Sequence, residues 1–168
     1  MNIGFIGTGL MGSPMIKNLL KSKHKISIFN RTLSKAKKLK KYGAYLSYTI
    51  EELVKDKEII ITMLTDDKAV NDIIRSKTFL NNVCKQTTVI DMSSTKPSTA
   101  LDNYKTLKKK GVYFLDAPVS GGTKGAESAS LAIMVGGEKK IYKKNLKVLK
   151  MLGIPNYVGK PSSGQAAK

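Results

Sequence analysis

Short apolar runs alternate with amphipathic stretches from the beginning of the chain to its end. The apolar runs predict strands at 3–6, 25–29, 58–64, 87–91, 112–116 and 131–135. The amphipathic stretches predict helices at 14–20, 34–41, 49–54, 67–75, 97–110 and 141–152. This regular alternation is typical of an α/β domain with a doubly wound, mostly parallel sheet and helices on both faces.

Local signals support several of these boundaries. The run at 58–64 is apolar almost throughout, which is typical of a strand buried on both faces of a parallel sheet. Thr49 and Glu52 have the spacing of a capping box. The helix at 34–41 is predicted to end at Gly43. A later helix is predicted to begin at a proline. The predicted first residue of this helix is Pro97. Its predicted inward row consists of Leu101, Tyr104 and Leu107.

Three glycines follow the first predicted strand at once and lead into the first helix. Gly7, Gly9 and Gly12 form the pattern G-x-G-x-x-G. In this context Gly7 allows a tight turn, Gly9 lets a pyrophosphate approach the backbone, and Gly12 lets the helix pack closely on the strand. The phosphates are then expected at the helix N-terminus, where free N–H groups favour negative charge. The pattern predicts a dinucleotide site, and a glycine-rich turn without a ligand is the alternative.

The end of the second predicted strand bears on the choice of nucleotide. An acidic residue at this point would bind the ribose hydroxyls of NAD, but the segment 25–41 contains none. Asn30, Arg31 and Thr32 stand there instead, and a guanidinium is suited to a 2′-phosphate. We therefore expect NADP rather than NAD, with a plain surface role for Arg31 as the alternative.

The chain carries a formal net charge of +18 across its 168 residues. The lysines are spread along predicted helix faces, and aromatic residues do not interleave with them as they would in a base-stacking platform. We expect a solvated surface that steers anionic ligands and binds no nucleic acid. The lysines in question include Lys35, Lys37, Lys38, Lys40, Lys41, Lys108, Lys109, Lys110, Lys139, Lys140, Lys143 and Lys144.

Other bulk features indicate a globular protein of a reducing compartment. No apolar run approaches the roughly 18 residues of a membrane span, so no membrane association is expected. Cys84 is the single cysteine and has no internal partner for a disulfide, so we expect a passive, partly buried thiol. The N-terminus enters a strand without a signal-peptide pattern. These features favour a cytoplasmic location.

A second glycine-containing segment leaves the end of the predicted strand at 112–116. Ser120 offers a hydroxyl, and Gly121 and Gly122 offer N–H groups that could hold a substrate carboxylate. Ligands of open α/β sheets bind outside such carboxyl ends. By spacing alone, a plain glycine turn is equally consistent with these residues.

Taken together, five segments resemble the β-hydroxyacid dehydrogenase family, which contains 3-hydroxyisobutyrate dehydrogenase, glyoxylate/succinic semialdehyde reductase, tartronate semialdehyde reductase and, more distantly, 6-phosphogluconate dehydrogenase. Segment 5–15 is similar to the family's cofactor loop, and 116–122 to its substrate-binding signature. Segment 30–32 is similar to that of the NADPH-using reductases. Segment 91–95 is similar to the one whose threonine touches the nicotinamide side, and 164–168 fits G-x-x-x-K, whose lysine is the catalytic acid/base.

The resemblance implies a Rossmann-type NADP-binding domain over 1–161 and the start of an interdomain helix over 162–168. Family members continue into an all-helical domain that closes the site and forms the dimer, so a homo-oligomer is expected only where that domain is present. Two residues depart from the family pattern. Thr65 stands where proline is usual, and Ser162 stands where glycine is frequent.

The resemblance also assigns the site residues. Lys168 is implied as the catalytic residue, although an inert lysine remains open from the residues alone, and no metal is expected. Implied substrate-binding residues are Ser120, Gly121 and Gly122. Implied cofactor-binding residues are Gly7, Thr8, Gly9, Leu10, Met11, Gly12, Asn30, Arg31, Thr32, Met63, Leu64 and Thr95.

The expected function is hydride transfer between NADPH and a small semialdehyde or β-hydroxy acid, of the glyoxylate or succinic semialdehyde type. The expected partner is therefore a small carboxylate-bearing substrate. The alternative is a truncated, catalytically inactive NADP-binding module of such an enzyme.

Overall fold

A computed structural model describes residues 1–168 and shows one sheet with helices on both of its faces. The strands are β1 (Asn2–Ile6), β2 (Lys25–Phe29), β3 (Tyr45–Leu46), β4 (Ile59–Thr62), β5 (Thr88–Asp91), β6 (Tyr113–Asp116), β7 (Val119–Ser120), β8 (Leu131–Gly137) and β9 (Gly153–Gly159). The helices are α1 (Gly12–Leu20), α2 (Leu33–Lys37), α3 (Ile50–Val54), α4 (Asp67–Ile74), α5 (Lys77–Asn82), α6 (Pro97–Lys108), α7 (Gly122–Glu127), α8 (Lys139–Lys150) and α9 (Ser163–Ala167).

The strand order confirms the doubly wound, mostly parallel sheet of the Rossmann type. Strands run β3-β2-β1-β4-β5-β6 in parallel, so the order reverses at the first strand. Antiparallel β8 extends the sheet beside β6 and also pairs with β7. Strand β9 pairs with β8 in parallel. The carboxyl ends of β1, β2, β4, β5 and β6 therefore open along one edge of the sheet.

Two hydrophobic cores, one on each face, hold the helices against the sheet. The residues of β4 alternate between them, because Ile61 belongs to the larger core and Ile60 to the smaller one. Both side chains are fully buried. The apolar run around β4 is thus buried on both faces, as predicted. None of the helices combines the length and the apolar character that crossing a membrane requires.

Helix α3 begins with the predicted cap. The Thr49 hydroxyl accepts a hydrogen bond from the Glu52 backbone N–H at 3.1 Å. The Glu52 carboxylate in turn accepts one from the backbone N–H of Tyr48 at 2.8 Å, one residue before the cap. Two N–H groups at the helix start are thereby satisfied.

The structure differs from the predicted elements in a few places. The helix predicted at 34–41 divides into α2 and a 3₁₀ turn at Lys40–Tyr42, which ends at Gly43 with φ of 102°. The inward row of α6 consists of Ala100, Asn103 and Leu107, while Leu101 and Tyr104 are only half-buried. The Asn103 side chain faces inward, where its amide oxygen accepts a hydrogen bond from the Arg75 guanidinium at 2.8 Å. The thiol of Cys84 is exposed rather than partly buried.

Candidate functional site

The glycine loop lies at the carboxyl end of β1 and is closed by backbone contacts. Gly7 has φ of 109°, and a Cβ there would lie 2.2 Å from the carbonyl oxygen of Met63. A Cβ on Gly12 would lie 2.0 Å from the carbonyl oxygen of Gly7. Both distances are far below a contact distance, so any side chain at Gly7 or Gly12 would push α1 or β4 away from β1.

The same loop has room and free polar groups where a phosphate would lie. A Cβ on Gly9 would meet no atom within 4 Å, so this position faces open space. The Thr8 hydroxyl is buried without a hydrogen-bond partner. The Thr8 backbone N–H donates a hydrogen bond to the side-chain amide oxygen of Asn30 at 2.9 Å. An open glycine beside an unpartnered hydroxyl at the start of α1 fits the pyrophosphate of a dinucleotide.

A basic cleft of about 490 Å³ continues from the loop along the groove between α1 and α2. Four lysines line it, and no carboxylate does. The Lys17 and Lys41 ammonium groups lie 4.5 and 5.2 Å from the centre of the Tyr42 ring. The lining lysines are Lys17, Lys35, Lys38 and Lys41. Lysines that appear in the sequence as a solvated helix face thus surround a concave, positively charged surface beside the glycine loop.

Of the three residues after β2, one has a structural role and two are exposed. The Asn30 side chain accepts from Thr8 and donates to the Thr32 carbonyl oxygen at 3.0 Å, so it ties the end of β2 to the loop. Arg31 and Thr32 are exposed. None of the three ion pairs of the chain involves Arg31, whose guanidinium is therefore available to an anionic ligand.

The loop after β5 gathers several of the implied site residues. The Ser93 hydroxyl accepts a hydrogen bond from the backbone N–H of Leu64 at 2.9 Å. The Thr95 hydroxyl is buried and has no partner. The Lys168 ammonium donates to the Ser94 hydroxyl. The fold thus brings Leu64, Thr95 and Lys168, which are far apart in sequence, to one loop at the carboxyl edge.

Two buried carboxylates lie at this edge, at the ends of β5 and β6. One oxygen of Asp91 accepts from the Thr62 hydroxyl at 2.9 Å and from the Ser93 N–H at 3.1 Å, and the other has no partner. Burial raises the pKa of Asp91 to about 6, against the opposing effect of these hydrogen bonds. Burial also raises the pKa of Asp116 above its usual value. Sequence reasoning assigned neither carboxylate to the site.

Asp116 holds α9 to the end of β6, and one further residue, Gln165, connects α9 to the loop. The Asp116 carboxylate accepts from the N–H of Ser162 and from that of Gln165, each at 2.9 Å. Ser162 has φ of 79°, a left-handed conformation that explains why glycine suits this position. The Gln165 amide contacts the loop at Ser93 and Thr95. The sequence offered no signal for Gln165, because a glutamine within a short polar segment is ordinarily exposed.

The segment implied to bind substrate lies beside the glycine loop. Ser120 ends β7 opposite Ala132 of β8, and α7 begins at Gly122. A second cleft, of about 520 Å³, is lined by both Leu10 and Thr123, so the start of α7 lies beside the loop. No side-chain hydrogen bond joins Ser120 to Lys168. The fold therefore places this segment near the cofactor loop without linking it to the lysine.

No group of three or more His, Cys, Asp or Glu side chains is arranged to hold a metal ion. The fold, the glycine loop and the open phosphate position instead define a dinucleotide-binding domain. A family model described as the NAD binding domain of 6-phosphogluconate dehydrogenase matches residues 2–159, and the chain belongs to this family.

Named relatives confirm the predicted resemblance to the β-hydroxyacid dehydrogenases. The chain is 38% identical to the 3-hydroxyisobutyrate dehydrogenase of Drosophila melanogaster over 99% of its own length and 52% of the relative. It is 34% identical to glyoxylate/succinic semialdehyde reductase 1 of Arabidopsis thaliana, over 100% of its length and 59% of the relative. A structure of 3-hydroxyisobutyrate dehydrogenase from Mycobacterium tuberculosis with L-serine superposes with a TM-score of 0.95 at 32% identity, over 99% of this chain and 57% of that one. The chain thus spans little more than half the length of these relatives.

Proposed function

We propose that the chain is the cofactor-binding part of an NADP-dependent oxidoreductase that transfers hydride between NADPH and a small semialdehyde or β-hydroxy acid. The observation that carries the proposal is the Lys168 ammonium beside the Ser93–Thr95 loop, at the edge of the sheet that also bears the glycine loop. A proton donor and a dinucleotide site at one edge are the two parts that carbonyl reduction requires. The names of the relatives support the same reaction class.

The residues at this edge fit a nicotinamide dinucleotide. Gly9 leaves open space for the pyrophosphate, and the unpartnered hydroxyls of Thr8 and Thr95 are available on either side. The exposed Arg31 and the basic cleft favour a cofactor with an additional phosphate, so we assign NADP rather than NAD. When bound, the cofactor supplies the hydride.

The other steps belong to residues of this chain. The Lys168 ammonium donates the proton to the oxygen of the substrate carbonyl as negative charge develops there, and the neutral amine accepts it in the reverse direction. Ser120 and the N–H groups of Gly121 and Gly122 hold the substrate carboxylate, because N–H groups at the start of a helix favour an anion. The names of the relatives support this proposed substrate type.

Charge reversal at Arg31 tests the assignment of NADP. We expect Arg31→Asp to weaken NADPH binding about 10- to 100-fold while NADH binding changes less than about threefold, because a charge-assisted hydrogen bond to the 2′-phosphate is lost. Both affinities are measured by fluorescence titration. Lys110→Asp makes a charge change of the same size at an exposed position two residues beyond the end of α6 and should leave the NADPH/NADH ratio unchanged. An unchanged ratio in Arg31→Asp would contradict the assignment.

Turnover tests the reaction itself. We expect NADPH oxidation with glyoxylate or succinic semialdehyde, and we expect Lys168→Ala to lower kcat by about 10²- to 10⁴-fold because the proton donor is lost. Lys160→Ala, eight residues earlier, serves as the control. A chain that binds NADPH but oxidises none of it with these aldehydes would support the second candidate, a cofactor-binding module without turnover.

A further inference from the structure

Gln165 makes an unusual pair of contacts for a glutamine near the surface of the sheet edge. Its side chain is only 7% exposed. The amide oxygen accepts a hydrogen bond from the backbone N–H of Thr95 at 3.1 Å, and the amide nitrogen donates to the Ser93 carbonyl oxygen at 2.7 Å. The side-chain amide therefore pairs with the backbone of the loop on both sides of Ser94, as a neighbouring strand would.

The helix that carries Gln165 is itself fixed to the sheet by backbone. A Cβ on Gly164 would lie 2.5 Å from the carbonyl oxygens of both Asp116 and Met134, so only glycine allows this approach. A Cβ on Gly136 would lie 2.6 Å from the N–H nitrogen of Gly164. The Asp116 carboxylate holds the first turn through the N–H of Gln165. Helix α9 is thus docked against β6 and β8 with little freedom to slide.

Gln165 and Lys168 are three residues apart and both reach the same loop from α9. Lys168 contacts the side chain of Ser94, and Gln165 holds the backbone on either side of it. The backbone held by Gln165 carries the Thr95 hydroxyl, which is buried and unpartnered. The amide of Gln165 therefore sets the distance between the lysine and the threonine.

We propose that Gln165 is a positioning residue that fixes the Thr95 loop, and with it the nicotinamide end of the cofactor site, relative to Lys168. This inference rests on the proposed function, in which Thr95 faces the nicotinamide and Lys168 supplies the proton. The adenosine end of the cofactor is held by the glycine loop and Arg31, which do not touch Gln165. Loss of the amide therefore affects one end of the ligand and spares the other.

Two ligands separate these ends. We expect Gln165→Leu to weaken NADP⁺ binding about 5- to 10-fold, because two hydrogen bonds that fix Thr95 are lost. Binding of adenosine 2′,5′-bisphosphate, which lacks the nicotinamide, should change less than about twofold. Ala166→Leu, on an exposed position of the same helix, should change neither affinity. Both are measured by calorimetry. Equal loss for the two ligands, or no loss for either, would overturn the positioning role.

A second variant adds a signature that general destabilisation would not produce. Gln165→Glu keeps the size of the side chain but places a carboxylate against the Ser93 carbonyl oxygen. Burial and the neighbouring Asp116 carboxylate raise the pKa of the introduced carboxyl, against the opposing charge of Lys168. Its protonation restores the donor, so NADP⁺ affinity relative to the unaltered chain should rise as the pH falls from about 8 to about 6. A ratio that stays constant with pH would contradict the proposal.

Hydrogen exchange distinguishes failure of this inference from failure of the proposed function. The Thr95 amide should exchange at least about tenfold faster in Gln165→Leu than in the unaltered chain, while the Ser47 amide, bonded to the Ile28 carbonyl oxygen at the other side of the sheet, serves as an internal reference. Equal Thr95 exchange in the two proteins would refute the positioning role. Failure of the unaltered chain to bind NADP⁺ would refute the proposed function whatever the exchange result.

Discussion

At the carboxyl edge, the sheet buries ionisable side chains away from water. Asp91 is fully buried, and one of its carboxylate oxygens has no hydrogen-bond partner. Asp116, on the neighbouring strand and in register with Asp91, adds a second negative charge that also raises the pKa of Asp91. The ionised form of Asp91 is therefore disfavoured in the folded protein, although it lies directly under the loop that holds Ser93.

The raised pKa of Asp91 has a defined effect on stability. Its folded pKa of about 6 lies above the ordinary value of 3.8, so the folded state binds the proton more tightly than the unfolded state. The free energy of unfolding contributed by this group therefore decreases as the pH rises from about 4 to 6 and stays constant above that. We expect Asp91→Asn to gain stability relative to the unaltered chain over this window, by on the order of 2 to 3 kcal/mol. Urea unfolding at several pH values measures it, and parallel curves for the two proteins would be inconsistent with a raised pKa.

The sequence predicts some of the site residues and not others. The glycines and Arg31 follow from spacing within one strand–turn–helix unit, which is local information. Asp91 and Gln165 acquire their roles only when β5, β6 and α9 come together, because burial and backbone pairing are properties of the assembled sheet edge. A resemblance to a family transfers motif residues, and neither residue is distinguished within the motifs.

At the scale of elements, the packing of α1 on β1 depends on the absence of side chains at one contact. Gly12 in α1 approaches the backbone of Gly7 so closely that even a methyl group has no space. Gly9, between them, faces open space and has no left-handed backbone conformation. Two glycines of one motif therefore serve different purposes, Gly12 in packing and Gly9 in leaving room for a ligand.

A pair of alanine substitutions separates these purposes. We expect Gly12→Ala to lower the free energy of unfolding by about 2 kcal/mol or more, since the added methyl group would overlap backbone that cannot rotate away. Gly9→Ala should change it by no more than about 0.5 kcal/mol and yet reduce NADPH affinity, because the methyl group occupies the path of the pyrophosphate. Thermal unfolding and NADPH titration report the two effects. Normal NADPH affinity in Gly9→Ala would place the cofactor elsewhere.

The elements that the sequence predicts have a strong hydrophobic periodicity. The elements that it does not predict are short or contain residues that disfavour the structure they adopt. Helices α5 and α7 have only six residues each, too few for a clear apolar stripe. Strand β9 contains Pro155, which ordinarily argues against a strand. It forms because it pairs with β8 alone, so the missing N–H of proline can face away from the ladder. The pairing of β9 with β8 is a tertiary contact that the local sequence does not reveal.

At the scale of the whole molecule, the excess of positive charge is not neutralised by pairing. The chain has a net charge of +18 and three ion pairs, of which the two between neighbouring helical turns are exposed. Such a surface attracts anions over distances of about a Debye length. The structure gives this general attraction a focus, since the cleft beside the glycine loop has lysines and no carboxylate. An anionic cofactor would therefore be drawn toward the site that its phosphates fit.

The position of β1 at the centre of the sheet has a consequence for synthesis. Strand β1 is made before both of its neighbours, and it pairs with β2 on one side and with β4 on the other. Its second edge must wait until residue 62 has been made, which takes roughly two to seven seconds after β2 at about 5–20 residues per second. During that interval one edge of an apolar strand is exposed to other polypeptides. The chain is thus most vulnerable to aggregation through the same strand on which its cofactor loop is built.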